Sequence, residues 1–530
     1  MLARLIKRLA WSAGLATLAS SVLASDGFEP PANPYLADSA WPMSHRTPYA
    51  QGSSPLRGPI SAGDLAPADY ASTSLTNITL ATSPRYRLNW FERWLGMSDR
   101  VYWGSTFGAV YKLRANAAGL PMIDYKMKPS GASLSNISNA TSGAYTVVDH
   151  ENTFFTVDGT TVLAYQDKDR GNIYSPIRLR SSFALPPHIL RGDSSTDPIV
   201  GMTLLWDGKL AIATKLGTVV VVSRDFSSYW SVMLGGAAGE EVSNSIAADE
   251  EGGIYVVTAE AMYRVQWTGS RLTLNEGAGA WRAAYENRKD LCGTPGRLGC
   301  GSGSTPSLMG SGSGDRFVVI TDAEEVTNLV LFWRDAIPAD WQQIPGTRSR
   351  RIAAQVPVNF GDPARQATAS EQSVLVRGYG AVVVSNDYRN VDLMSSFPLP
   401  NVFDGDLIKN LTNGIVVALS GFRPFQPYGV HKFQWNPSKR KLQTAWVNRD
   451  TSCPNGIPTM SASSNMFYCI GARQDAWTVE GLDWTTGENR FHKLIGWNPL
   501  YNSFYAGTQI GHGGRIVSGT TFGVMELDPR

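Results

Sequence analysis

The sequence predicts an all-β toroid, an eight-bladed β-propeller closed by an N-terminal strand, with seven or nine blades as alternatives. Three observations point there. The first is a recurring strand–turn–strand signal, spaced roughly every fifty residues. Val101-Tyr102-Trp103 leads through Phe107-Gly108 into Val110-Tyr111-Lys112-Leu113. Leu210-Ala211-Ile212-Ala213 leads through Leu216-Gly217 into Val219-Val220-Val221-Val222, and Arg515-Ile516-Val517-Ser518 through Phe522-Gly523 into Val524-Met525-Glu526-Leu527. Two apolar strands around a Gly-containing turn make a hairpin, and a repeated hairpin buries both faces only against its neighbours. The second is composition: 43% hydrophobic, 17% charged, with 52 Gly and 30 Pro, a turn-rich β balance. The third is that no helical periodicity separates the copies, which leaves radial repetition as the way to cover sheet edges.

The chain divides into residues 1–24, 25–75 and 76–530. Arg4, Lys7 and Arg8 precede an apolar stretch from Leu9 to Leu23, and Val22-Leu23-Ala24 offers a small-residue cleavage site before Ser25. This is the pattern of a secretory signal peptide, and the stretch is short for a bilayer span. Export to the periplasm or the medium follows, with no transmembrane segment after signal removal. Residues 25–75, rich in Pro, Ser and Ala, are expected to wrap over the ring or stay loosely ordered.

Within 76–530, blades one and two fall near Arg100–Lys128 and Ala144–Ala184. Blade three reads most clearly: Ile199–Trp206, an Asp207-Gly208 turn, Lys209–Thr214, Thr218–Ser223 and Tyr229–Leu234. Blade four uses Ser245–Ala248, Ile254–Thr258 and Ala261–Trp267. Blade five uses Ser307–Met309, Phe317–Thr321 and Leu329–Trp333. Blade six starts at Ser373–Val376 and Ala381–Ser385 and resumes at Val430–Trp435 and Leu442–Val447, after a long insertion. Blade seven uses Thr459–Ser463, Met466–Ile470, Trp477–Trp484 and Arg490–Leu494. Blade eight uses Gly507–Gly511, Arg515–Gly519 and Val524–Leu527, and then the sequence ends one strand short. An open edge must be paired, and a segment between Ile78 and Trp90 is expected to pair it. Residues 268–304 and 335–370 read as long loops between blades.

Four cysteines, Cys292, Cys300, Cys453 and Cys469, imply disulfides in an exported protein. Among three connectivities, local pairing of Cys292 with Cys300 and Cys453 with Cys469 is expected. The formal net charge is +2 and no basic–aromatic run appears, so nucleic acid is not an expected partner.

Trp41-Pro42-Met43 with Gly52 and Ser54, and Tyr102-Trp103-Gly104-Ser105 with Gly108 and Val110-Tyr111, resemble the exported quinoprotein-like propellers. Asn244-Ser245-Ile246-Ala247-Ala248-Asp249 with Gly252-Gly253-Ile254-Tyr255-Val256 resembles blades of gluconolactonase-like and strictosidine-synthase-like propellers. The first resemblance covers most of the mature chain. Members that use pyrroloquinoline quinone typically carry an adjacent Cys-Cys pair and a repeated tryptophan docking motif. This chain has no adjacent cysteines, and its 16 Trp share no register, so that cofactor is not expected.

Chemistry is expected where the innermost strands begin, since these residues ring one mouth of the channel. They are Asp197, Asn244, Thr305, Glu371, Thr459 and Thr508. Hydroxyls, amides and two carboxylates in a ring suit a small molecule. Asp197, Asn244 and Glu371 supply oxygen ligands for calcium, although polar residues begin strands in most β proteins. Glu371, with His188 and Arg191, is the candidate acid–base and anion-binding set; a solvated polar loop explains His188, Arg191, Asp193 and Asp197 equally well. Asp404 and Asp406, in the insertion, could bind a cation, and a turn containing Gly405 explains them as well. No Gly-x-Ser-x-Gly elbow exists. Two functions follow: an exported small-molecule protein, hydrolase- or lactonase-like or a ligand binder, and alternatively a non-catalytic cell-envelope scaffold for other proteins.

Overall fold

The computed structural model describes residues 28–73, 79–115, 120–131, 145–237, 239–292, 297, 299–310, 312–391 and 415–530. The expected signal peptide, Asp404 and Asp406 lie outside them. Within them, eight antiparallel blades follow one another along the chain, and the all-β propeller expected from the hairpin repeat is the fold.

Blade three shows why these residues make it. Its strands are Ile199–Leu204, Leu210–Thr214, Thr218–Val222 and Tyr229–Met233, paired in that order. Alternate side chains of a strand point to opposite faces. Ala211, Ala213, Val219 and Val221 enter an apolar cluster with Ile254 and Tyr263 of blade four. Leu210, Ile212, Val220 and Val222 enter another with Phe155 and Val162 of blade two. Continuous apolar runs are what a sheet covered on both faces requires. Each remaining pair of adjacent blades shares a cluster of this kind. The last joins Val517 and Val524 of blade eight to Leu80 and Tyr102 of blade one, so the ring is closed.

All innermost strands run the same way along the channel. Their starts define an upper rim, shared with the connections from second to third strands. Their ends define a lower rim.

The structure corrects two expectations. The strand completing blade eight is Asp69–Ser72, with Tyr70 opposite Met525, not a segment between Ile78 and Trp90. Thr79–Thr82 is instead the innermost strand of blade one. The stretches 335–370 and 268–304 are not plain loops either. Ile352–Pro357 is the outer strand of blade five, and Leu272–Thr273 and Trp281–Ala284 together edge blade four.

Residues 28–72 form a belt that crosses the ring and plugs its channel. Asn33 Nδ2 donates to the Leu204 carbonyl at 3.0 Å, and Leu36 bridges Asp149. Met43 then pairs with Val147, inside the bore. After His45 the chain turns back. The carbonyls of Pro48, Tyr49 and Gln51 accept from the amides of Ala248, Leu308 and Val376, on blades four, five and six. Ser53–Ser54 lies parallel to Thr459–Ser461 of blade seven. His45, Arg46 and Ala50 have φ of 59°, 74° and 53°, a left-handed backbone that non-glycine residues rarely adopt. Among the described residues no helix is long and apolar enough to cross a membrane.

Candidate functional site

Two disulfides, Cys292–Cys300 and Cys453–Cys469, join the cysteines in the expected local pairs. Each steadies a loop of the upper rim. Cys300 leads into Gly301-Ser302-Gly303, which weaves between neighbouring blades. A Cβ on Gly301 would lie 2.8 Å from Ala259 Cα, and one on Gly303 2.7 Å from Glu371 Cα and 2.9 Å from its Cδ. The glycines are there because the backbones touch. On the other side of this thread, Asn244 Nδ2 donates to the Ser302 carbonyl at 2.6 Å. Asn244 and Glu371 therefore flank the same two residues.

Glu371 begins a denser cluster. Its backbone amide donates to Asn386 Oδ1 at 2.8 Å, and Asn386 Nδ2 donates to the Pro454 carbonyl at 2.7 Å, next to Cys453. Tyr388 Oη lies 3.0 Å from Tyr505 Oη and 3.2 Å from the same Pro454 carbonyl. Burial pushes both phenols well above the usual tyrosine range, and the Glu371 carboxylate adds to each shift. Phe504 and Tyr505 sit at φ of 45° and 66°. This strained pair is held by the Tyr505 amide on the Asn455 carbonyl at 2.8 Å. The end of the blade-six insertion caps the cluster: Asn455 and Asn502 donate to the Val417 carbonyl, and Val417 packs with Tyr388 and Phe504.

Deeper in the mouth, the Tyr145 phenol reaches from blade two to Thr305 and the Ser245 backbone, on blades five and four. Its ring lies 6.0 Å from that of His45, whose Nε2 is 3.5 Å from Ser373 Oγ. Burial lowers His45 to about 4, so the imidazole is neutral at pH 7.

The other expected residues are placed apart. Asp197 is fully buried, and its carboxylate accepts from the amides of Arg191 at 3.0 Å and Leu216 at 2.7 Å. The Arg191 guanidinium donates to the carbonyls of Leu234, Gly236 and Ala237. His188 is exposed, with Nε2 3.5 Å from Tyr229 Oη. These contacts tie the loop to the Leu216 turn of blade three and to the connection into blade four. Thr459 Oγ1 donates to the belt carbonyl of Gly52 at 2.7 Å, and Thr508 is buried at the start of blade eight. Of the calcium set, Asn244 and Glu371 flank one thread, while both Asp197 oxygens are engaged by the backbone amides of Arg191 and Leu216. Among the described residues no group of three or more His, Cys, Asp or Glu could hold a metal ion. Sequence reasoning missed Tyr145, Tyr388 and Tyr505, which no motif marks.

Outward on the same rim, the turn after Met466–Arg473 borders a cavity of about 420 Å³ lined by Tyr428, Asp450, Arg473, His492 and Trp497 among others. It lies on blades six and seven, separate from the mouth.

Two solved structures share the fold. The quinohemoprotein alcohol dehydrogenase of Comamonas testosteroni aligns with a TM-score of 0.51 at 12% identity, covering 94% of this chain and 81% of that one. Quinohemoprotein alcohol dehydrogenase ADHIIG of Pseudomonas putida HK5 aligns with a TM-score of 0.50 at 13% identity, covering 93% and 80%. At such identity only the architecture is shared. No protein-family model matches the chain. An uncharacterized protein of Archaeoglobus fulgidus is 41% identical over 502 residues, covering 94% of this chain and 89% of the relative. The chain belongs to the same family as that archaeal protein.

Proposed function

We propose that this is an exported β-propeller that binds a small polar molecule at the upper mouth of its channel. Glu371 provides the charge, and Asn244, Thr305, Tyr388 and Tyr505 provide the surrounding amide and hydroxyl groups. The observation that carries the reading is the Glu371–Tyr388–Tyr505 cluster on a strained turn. Strained backbone that the surrounding fold over-determines concentrates at functional sites, and function concentrates on loops carried by a rigid scaffold. The belt supports the same reading, since a bore plugged from below is a dead end approached from above. The two disulfides accord with export. Hydrolysis of a lactone or ester is the reaction class in keeping with the gluconolactonase-like resemblance of blade four.

The test is a thermal-shift panel of monosaccharides, sugar lactones, short esters and hydroxy acids, scored also for turnover, with calcium chloride titrated separately. The compound giving the largest shift is then followed by calorimetry on the wild type and Glu371→Gln. Losing a charge-assisted hydrogen bond should weaken binding by about tenfold or more, with the melting temperature of the free protein unchanged. A panel with no binder, or equal affinity in the two proteins, would overturn the proposal.

A further inference from the structure

The connection between the first two strands of blade one, residues 83–100, stands out on the lower rim. The same connection in blade six is only Gly378-Tyr379. In blade one it carries a short helix, Trp90–Trp94. Asn89 Oδ1 accepts from the Glu92 amide at 2.9 Å, and Glu92 Oε2 accepts from the Asn89 amide at 3.0 Å. This capping box turns Glu92 inward, where Oε1 lies 3.8 Å from buried Arg114. The helix thereby hides its carboxylate and presents its apolar side chains to solvent. Trp90, Phe91, Trp94 and Leu95 are 75%, 48%, 64% and 39% exposed. Phe91 and Trp94 stack at 5.9 Å. Tyr174, 53% exposed on the lower rim of blade two, extends the patch; the Arg114 guanidinium lies 5.1 Å from its ring.

Single exposed apolar residues need no explanation, but a contiguous aromatic patch does. Its surroundings say what covers it. Arg85, Arg87 and Arg93 are exposed around the helix. The acidic residues nearby are Glu92, turned inward, half-exposed Asp99, which lies 3.8 Å from Arg85 and 4.0 Å from Arg100, and exposed Asp38, whose carbonyl accepts from Arg100 at 2.6 Å; the three exposed arginines outnumber the two acidic residues left at the surface. Tryptophan, phenylalanine and leucine ringed by arginine match the acyl boundary and anionic headgroups of a bilayer. A second copy would bring the same arginines face to face. We propose that the Trp90–Leu95 protrusion docks the lower rim on an anionic lipid surface, leaving the upper mouth facing away from it.

The experiment uses the full chain with vesicles of phosphatidylcholine alone or with about 30 mol% phosphatidylglycerol, whose negative surface attracts basic side chains. An environment-sensitive fluorophore on Trp94→Cys should shift to the blue and be shielded from iodide on the anionic vesicles. The same probe at Tyr125→Cys, exposed on the outer strand of blade one, should not change. This comparison reads local insertion whatever the leader contributes. In co-sedimentation, replacing Arg85, Arg87 and Arg93 together with Gln should weaken binding to anionic vesicles about tenfold or more. Replacing Trp90, Phe91 and Trp94 with Ser should weaken binding to the anionic vesicles about tenfold or more by removing the inserted apolar area, with an unchanged melting curve as the folding control. No spectral shift at position 94, an equal shift at 125, or a patch that proves to be covered by a second copy, seen as a dimer that the serine variant dissociates, would overturn the proposal.

Discussion

Glu526 shows how much a single side chain is asked to bear in this ring. It sits on the third strand of blade eight, with Oε1 3.4 Å from Arg515 Nε, and Arg515 also faces Asp528 at 3.3 Å. Burial, reinforced by the neighbouring Asp528 carboxyl, raises it to about 8. Its folded value is therefore above its ordinary one, so the folded state holds the proton more tightly. Its stabilising contribution is complete below about pH 4.5 and is lost as the pH rises through about 8. Glu526→Gln mimics the protonated form. Thermal melts of variant and wild type should agree near pH 4 and diverge in the variant's favour towards pH 8. A difference that does not grow with pH would contradict this. His45, His431 and His512, all lowered by burial to about 4, act oppositely, costing stability as the pH falls from about 6.5 towards 4; comparing one variant with its parent cancels them. At the mouth, Asn244, Thr305 and Glu371 were legible because each is the polar lead-in to an apolar strand. Tyr388 and Tyr505 were not, because their meeting depends on an insertion and an interblade loop that share no sequence signal.

The strands were legible wherever both faces are covered, since only continuous runs such as Val219–Val222 carry a strong apolar signal. Outer strands are half-buried, and their signal fades. Ile352–Pro357 follows a stretch of Pro, Arg and Trp, and the edge of blade four is interrupted by a turn at Asn275–Gly279. The closing strand was the hardest to find. Asp-Tyr-Ala-Ser at 69–72 has little β character, whereas Thr79–Thr82 has more, and tertiary pairing overrides such propensity. Ala71 lies opposite Val524 in register, and proline there removes a donor from the ladder. Ala71→Pro should cost on the order of 1–3 kcal/mol and expose the edge of Gly523–Leu527, so that the protein melts earlier and aggregates on heating. A variant as stable and as soluble as wild type would show that another segment closes the ring. The helix Trp90–Trp94 went unremarked because its five residues are too few to display a helical period.

For the whole molecule, the belt ties the start of the sequence to every part of the ring, and its contacts are among the longest in the chain. Thr459 and Gly52 meet across 407 residues, and Lys493 and Leu65 across 428. Blade hairpins are local and form early; contacts this distant form late, because loop closure must precede them. In pulse-labelling exchange during refolding, the amides of Ala248, Leu308 and Val376, which bond the belt, should gain protection after Ile212 within blade three. Simultaneous protection would contradict that order. During synthesis the consequence is sharper. Asp69–Ser72 is made hundreds of residues before its partner Gly523–Leu527, so a nascent chain cannot close its ring until blade eight has left the ribosome. Until that blade is made the protein stays an open, unlocked string, the condition a polypeptide must keep if it is to be threaded through a translocation pore.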